Sequence, residues 1–133
     1  MFEKLVRLRI PMGWAVLHNS FGAETPIIQD GLIVNDEFYS EDLLSIAKVA
    51  YTSNGWSIDQ NDYLIDLGWY PESDPNGNYR LCLIRGSWDN IILNFESTDC
   101  KKIRKAIERC FDLILNGIDD NDISSFFSNI DLI

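Results

Sequence analysis

The sequence predicts an α+β fold in which an antiparallel β-sheet, built as a meander, packs against a long C-terminal amphipathic helix. Three apolar runs of strand character lie at residues 63–70, 79–85 and 91–96, and the turns between them are too short for parallel crossovers. After residue 100 the apolar residues take up a helical spacing instead. The chain has 133 residues, of which 46% are hydrophobic and 12% aromatic, so it is long enough for one domain with its own core.

We therefore expect residues 1–133 to form a single domain. Two interpretations of its first residues stay open: either Met1 is the natural start, or Met12 is and residues 1–11 are an extension. Residues 118–133 are expected to hold a short terminal helix. Its pattern is Asp122 as a cap, followed by Ile123, Phe126, Phe127 and Ile130 at helical spacing.

The first half of the chain predicts short elements. Alternation over residues 13–21 indicates a strand, residues 22–30 a loop, and residues 32–34 a short strand. Ser40, followed by acidic residues, predicts the cap of a short helix over residues 41–47. Asn54-Gly55 is a strong turn signal that separates two strand-like runs, 49–52 and 56–59.

The central strand at residues 63–70 places Tyr63, Ile65, Leu67 and Trp69 on one face, so we expect Trp69 in the core. Residues 71–78 and 86–90 are predicted turns, because they are rich in Pro, Gly, Asn, Asp and Ser. Trp88, in the second of these turns, and Tyr70, on the face opposite Trp69, are interpreted either as exposed contacts or as buried residues.

The predicted long helix carries an apolar stripe from Ile103 to Ile114. Thr98 or Asp99 is expected to cap its start, and Asn116-Gly117 is expected to end it. Five basic residues within positions 101–109 fall on the other side of the helix wheel. We interpret them as its solvated face rather than as a nucleic-acid patch.

The charge distribution excludes nucleic acid as a direct partner. The chain has 21 acidic and 11 basic residues, a net charge of −10, and a surface of this sign repels a phosphate backbone. Residues 11–100 hold fourteen of the acidic residues and only three basic ones. No apolar run is long enough for a membrane span, and three cysteines without CxxC spacing fit a reducing cytoplasm.

The sequence offers little for catalysis or metal binding, so we expect no enzyme, no cofactor and no metal. His18 is the only histidine, and no nucleophile, phosphate-loop or zinc-protease motif is present. Asp62 and Asp66 on one strand would lie about 13 Å apart, too far for a carboxylate pair. The run that starts at Asp74 imitates a calcium loop, but it has Tyr79 where that loop needs Gly and Arg85 where it needs Glu.

Several strings give the chain a family likeness: Gly13-Trp14-Ala15-Val16-Leu17-His18-Asn19, Asp30-Gly31-Leu32-Ile33-Val34-Asn35-Asp36, Asp66-Leu67-Gly68-Trp69-Tyr70-Pro71 and Gly86-Ser87-Trp88-Asp89-Asn90. With its small size, its acidity and its terminal helix, the chain resembles the immunity proteins of bacterial contact-dependent growth inhibition and other polymorphic toxins. The resemblance implies a non-catalytic cytoplasmic inhibitor that binds one cognate toxin domain, most often a cationic nuclease.

An acidic protein complements the cationic surface with which a nuclease holds phosphates. The candidate toxin-binding residues are the acids of the turns and of the exposed sheet face, with two aromatic residues: Asp59, Asp62, Asp66, Tyr70, Glu72, Asp74, Trp88, Asp89 and Glu96. Two alternatives stay open. The acids are merely solubilising charge, or the chain is an adaptor module whose partner is unrelated to toxins.

Overall fold

The computed structural model describes residues 5–127, which form an α+β domain with an antiparallel sheet and two α-helices. The strands are β1 (Trp14–Asn19), β2 (Ile28–Gln29), β3 (Leu32–Ile33), β4 (Leu44–Thr52), β5 (Gly55–Ile58), β6 (Tyr63–Tyr70), β7 (Asn78–Arg85) and β8 (Ser87–Ser97). The helices are α1 (Cys100–Leu115) and α2 (Asp120–Ile123), with 3₁₀ turns at Asp36–Phe38 and Ser124–Phe126.

Six strands make the main sheet: five lie in the order β1-β4-β6-β7-β8, the sixth, β5, pairs with β4, and every neighbouring pair is antiparallel. The consecutive strands β6, β7 and β8 confirm the predicted meander. β4 pairs with both β1 and β6 along its first half and with β5 along its second half. The β4–β5 hairpin, closed at Asn54-Gly55 as predicted, therefore carries the end of β4 beyond β1 and β6.

The short helix predicted over residues 41–47 is wrong, because most of that segment belongs to β4. Leu44 and Ile46 are fully buried while Ser45 between them faces away, which is the period of a strand. The signal that suggested a helix cap closes a turn instead: the Ser40 hydroxyl accepts from the backbone N–H of Asp42 at 3.3 Å.

The turn predicted over residues 86–90 is also shorter than expected. β8 starts at Ser87, so only Gly86, at φ +82°, separates it from β7. The residues that were expected in the turn belong to β8 instead, and the register between β7 and β8 is irregular near Ile84.

The expectation of a long C-terminal helix is not confirmed. α1 has 16 residues, about 24 Å at 1.5 Å per residue, and α2 follows it as a single turn of 4 residues. The predicted ends of α1 are right: Asp99 accepts from the backbone N–H of Lys101 at 2.9 Å, and Gly117 takes the left-handed φ of +73°.

The short terminal helix, α2, is capped by Asp119 rather than by the predicted Asp122. The predicted contribution of Ile130 lies outside the described residues.

The core lies between α1 and one face of the main sheet. Ile103, Ile107 and Cys110 of the helix meet the alternating apolar residues of the strands, and Trp14 packs edge-on against Phe111 with ring centroids 4.9 Å apart. Trp69 is buried, as predicted, at 4% exposure. No helix within residues 5–127 is long and apolar enough to cross a membrane.

Candidate binding surface

The face of the sheet opposite α1, here called the open face, carries a polar row across five strands. Ser45, Asp66 and Cys82 lie directly opposite one another on β4, β6 and β7, and the register extends the row to His18 on β1 and Asn94 on β8. On β4, β6, β7 and β8 these residues alternate with residues of the core, whereas the neighbours of His18 on β1 do not belong to it. The central strands therefore supply both the core and a polar face, which is exposed at His18 and Asn94 and buried at Cys82.

The segment before β4 brings further acidic side chains to this face. Residues 39–43 run alongside 67–73, and the backbone N–H groups of Leu43, Trp69 and Ser73 donate across the pair at 2.8–2.9 Å. Gly68 permits the close approach, since a side chain there would overlap the Glu41 carbonyl oxygen.

Five acidic side chains lie on these two segments or directly next to them, and we call them the acidic surface. Its members are Glu41, Asp42, Asp66, Glu72 and Asp74. Among the described residues, none of the five takes part in an ion pair. Their charge is therefore uncompensated within residues 5–127.

Asp66 lies at the electrostatic centre of this surface. Its carboxyl group is about half buried, and burial first and the neighbouring Asp42 second raise its pKa from 3.8 to about 6. Within residues 5–127 it has neither a hydrogen bond nor an ion pair. The ionised form of Asp66 is therefore unfavourable in the isolated protein, and a nearby positive charge would stabilise it.

Tyr70 and Glu96, which are also among the predicted toxin-binding residues, both contact Arg80. The Arg80 guanidinium donates to the Glu96 carboxylate at 2.9 Å and lies 4.5 Å from the centre of the Tyr70 ring. The Tyr70 hydroxyl donates to the Glu41 carbonyl oxygen at 3.3 Å. These contacts keep the cation of Arg80 on β8 and on the aromatic ring, so it does not neutralise Asp66.

The nine predicted binding residues do not form one surface. Asp66, Tyr70 and Glu96 lie on the open face, and Glu72 and Asp74 follow β6 at its end. The other four lie at the opposite end of β6, near the start of β6 and the β7–β8 turn: Asp59, Asp62, Trp88 and Asp89.

The group at the far end differs in its contacts as well. Asp62 accepts from the Tyr63 backbone N–H at 2.8 Å and lies 3.9 Å from Arg85, so its charge is partly compensated. Trp88, which the sequence left as either an exposed contact or a buried residue, is 53% exposed. Tyr70, the other residue in question, is half buried.

Sequence reasoning missed Glu41, Asp42 and His18 as members of this region. Their local pattern was interpreted as a helix start and as a plain strand, whereas the long-range pairing of 39–43 with 67–73 creates their proximity. The His18 Nε2–H donates to the Asp42 carbonyl oxygen at 3.0 Å, which ties β1 to the segment that holds Asp42.

A second exposed feature is the hairpin tip, formed by residues 49–58 of β4 and β5. These ten residues carry no charge. Tyr51 and Trp56 face each other across the strands with ring centroids 5.3 Å apart, yet they are 71% and 58% exposed. Exposed aromatic pairs of this kind are typical of protein–protein contacts.

The remaining titratable side chain in the polar row is the Cys82 thiol. It lies beside Asp66, and burial first, then that carboxylate, raise its pKa, which favours the protonated thiol. Within residues 5–127 no three His, Cys, Asp or Glu side chains cluster so as to hold a metal ion.

Comparisons with protein-family models, curated proteins and solved structures gave no match to this chain.

Proposed function

We propose that this protein is an immunity protein: a non-catalytic inhibitor that binds a cationic toxin domain, of the nuclease kind, through its acidic surface. The observation that carries the proposal is Asp66, a half-buried carboxylate that has Asp42 beside it and forms no ion pair within residues 5–127. A Lys or Arg side chain of a partner supplies the missing charge in a site that is already partly desolvated. Charge-assisted contacts of this kind are among the stronger ones at interfaces.

The placement of the positive charges supports the same conclusion. Most cations of the described chain lie on the outer side of α1 or on the N-terminal segment that runs beside it: Arg7, Arg9, Lys101, Lys102, Arg104, Lys105 and Arg109. The acidic surface lies on the other face of the sheet. A molecule with its charges separated in this way turns its acidic side toward a cationic partner during encounter, which raises the association rate.

The test is co-expression with the product of the adjacent upstream gene, followed by purification and a growth assay. We expect a stable complex and growth of cells that make the toxin. Separate elution of the two proteins at low salt, with no rescue of growth, would contradict the proposal.

A variant pair locates the binding site. Asp42→Asn with Asp66→Asn is expected to slow association about tenfold at low salt, because it removes the charges that attract the partner. Asp112→Asn with Asp122→Asn is the matched control, since both residues are exposed and lie on α1 and α2. If the control slows association equally, net charge rather than the acidic surface is responsible.

The hairpin tip favours a second candidate, a general protein-interaction module with an unrelated partner. In that case Tyr51→Ser with Trp56→Ser abolishes complex formation, because large aromatic side chains dominate the binding energy of many interfaces. The Asp42 and Asp66 variants then leave the complex intact. The two sets of variants therefore distinguish the two functions in one series of binding measurements.

A further inference from the structure

A cavity of about 530 Å³ lies between the N-terminal segment and the first turns of α1. Its walls combine apolar groups with three cationic side chains. The lining residues are Leu5, Val6, Arg7, Ala23, Cys100, Lys101 and Arg104. In a chain with a net charge of −10, this concentration of positive charge around one concave site requires an explanation.

The three cations that line the cavity are not paired with acidic side chains within residues 5–127. Arg7, Lys101 and Arg104 form no ion pair there. The Nε atom of Arg104 is buried and has no hydrogen-bond partner among those residues. A buried guanidinium donor without an acceptor is costly, which marks Arg104 as a cation whose hydrogen-bonding capacity is not fully used within residues 5–127.

The cations come from two separate segments. Arg7 is held by the N-terminal segment, where the Val6 backbone N–H donates to the Phe21 carbonyl oxygen at 2.8 Å. Lys101 and Arg104 project from α1. Asp99, two residues before Lys101, accepts from the Lys101 backbone N–H at 2.9 Å as the helix cap. Its carboxylate serves the helix end rather than the Arg104 side chain.

We infer that this cavity binds a small phosphomonoester with an apolar organic part. A phosphomonoester carries nearly two negative charges at neutral pH and several acceptor oxygens, which suits three cations around one point. Guanidinium groups match phosphate geometry with paired donors. The apolar walls of Leu5, Val6 and Ala23 provide room for the organic part. Burial raises the pKa of the Cys100 thiol, which keeps that wall uncharged at neutral pH.

The probe is phenyl phosphate, titrated into the full chain by calorimetry at low salt, with inorganic phosphate and phenol as separate ligands. We expect phenyl phosphate to bind about tenfold more tightly than inorganic phosphate, and phenol not to bind. Absence of phenyl phosphate binding at millimolar concentration overturns the inference. Equal affinity for phenyl phosphate and inorganic phosphate overturns the assignment of an apolar subsite.

Variants place the ligand in the cavity. Arg104→Gln is expected to weaken phenyl phosphate binding about tenfold, and Lys101→Gln, at an exposed position that leaves the fold intact, to weaken it several-fold. Lys102→Gln is the matched control, because Lys102 is the next residue of the same helix but does not line the cavity. An equal loss with Lys102→Gln, or no loss with Lys101→Gln, contradicts a site in this cavity. Circular dichroism confirms that each variant is folded.

Discussion

The two faces of the main sheet use the same strands for different purposes. On the covered face, Ile46, Ile65 and Leu83 lie directly opposite one another and are fully buried beneath α1. Ala47 and Leu64, the next residues on β4 and β6, point to the other face; Ala47 is still buried, at 3% exposure, and the face continues into the polar row around Asp66. The strand period of two residues is sufficient to separate a stabilising surface from a polar one.

The covered face stabilises the folded protein, whereas the open face contains a group that destabilises it. On the covered face every fully buried side chain is apolar, and burial there is favourable. On the open face Asp66 is held half desolvated beside a second carboxylate, which is unfavourable in the isolated protein. Unfavourable groups of this type are commonly retained at functional sites.

The largest expected effect is on the covered face. Ile65→Ala should lower the free energy of unfolding by about 2–5 kcal/mol, because it leaves a cavity in a core that α1 closes. Urea unfolding measures this. Asn94→Ala on the open face is the control and should change stability by less than about 0.5 kcal/mol. Equal losses for the two variants would contradict the division into two faces.

The next effect concerns binding. Because the pKa of Asp66 is about 6 in the free protein, a cationic partner must bind the ionised form, and affinity should fall about tenfold per pH unit below that value. Surface plasmon resonance at pH 7.5 and pH 5 measures this. Asp42 and His18 are the other ionisable groups on this side of Asp66, while burial raises the pKa of the Cys82 thiol and of the Tyr70 hydroxyl, so both stay protonated over this range. The dependence should persist in His18→Gln and weaken in Asp66→Asn.

A smaller effect is expected on stability. Asp66 binds a proton more tightly in the folded chain than in the unfolded chain, so stability should decrease as pH rises from about 4 to about 6. Asp66→Asn removes this loss and should stabilise the protein by about 1 kcal/mol at pH 7.5, after allowance for partial solvation of the group. At pH 3 the variant and the parent should be equally stable by thermal unfolding. Destabilisation at pH 7.5 would show that the carboxylate is structurally satisfied.

The smallest effect belongs to the ion pair on the open face. Arg80 and Glu96 are 2.9 Å apart but about 40% exposed, with side-chain values of 41% and 44%. A double-mutant cycle with Arg80→Gln and Glu96→Gln should give a coupling of about 0.5 kcal/mol. A coupling near that of a buried pair would mean that this end of the open face also contributes to stability.

Much of the fold could be predicted from the sequence, because local patterns determine it. The alternation in β6, the Asn54-Gly55 turn and the apolar stripe of α1 each identify an element without knowledge of its neighbours. The prediction failed at residues 41–47, where the Ser40 pattern was compatible with both a helix cap and a turn. Burial of Leu44 and Ile46 against β6 decided between them.

The candidate surface was less predictable, because it depends on pairing across the chain. The sequence predicts Asp66 within the strand at residues 63–70 and Glu72 and Asp74 in the turn after it, and the structure has them there. Asp42 joins them only through the contact of residues 39–43 with 67–73. The exposed Tyr51 and Trp56 were missed for a similar reason. Their alternation is that of an ordinary buried strand, and only the reach of the hairpin beyond β1 and β6 leaves them in solvent.

Gly68 sets the distance between residues 39–43 and 67–73, which carry the acidic surface. Because any side chain at position 68 would overlap the Glu41 carbonyl oxygen, the distance between the segments that carry the carboxylates depends on a residue that has no charge. Individual acids along the two segments can therefore be exchanged while the backbone geometry stays constant. A single added carbon at Gly68 would instead move the two segments apart, and would shift all of these acids together.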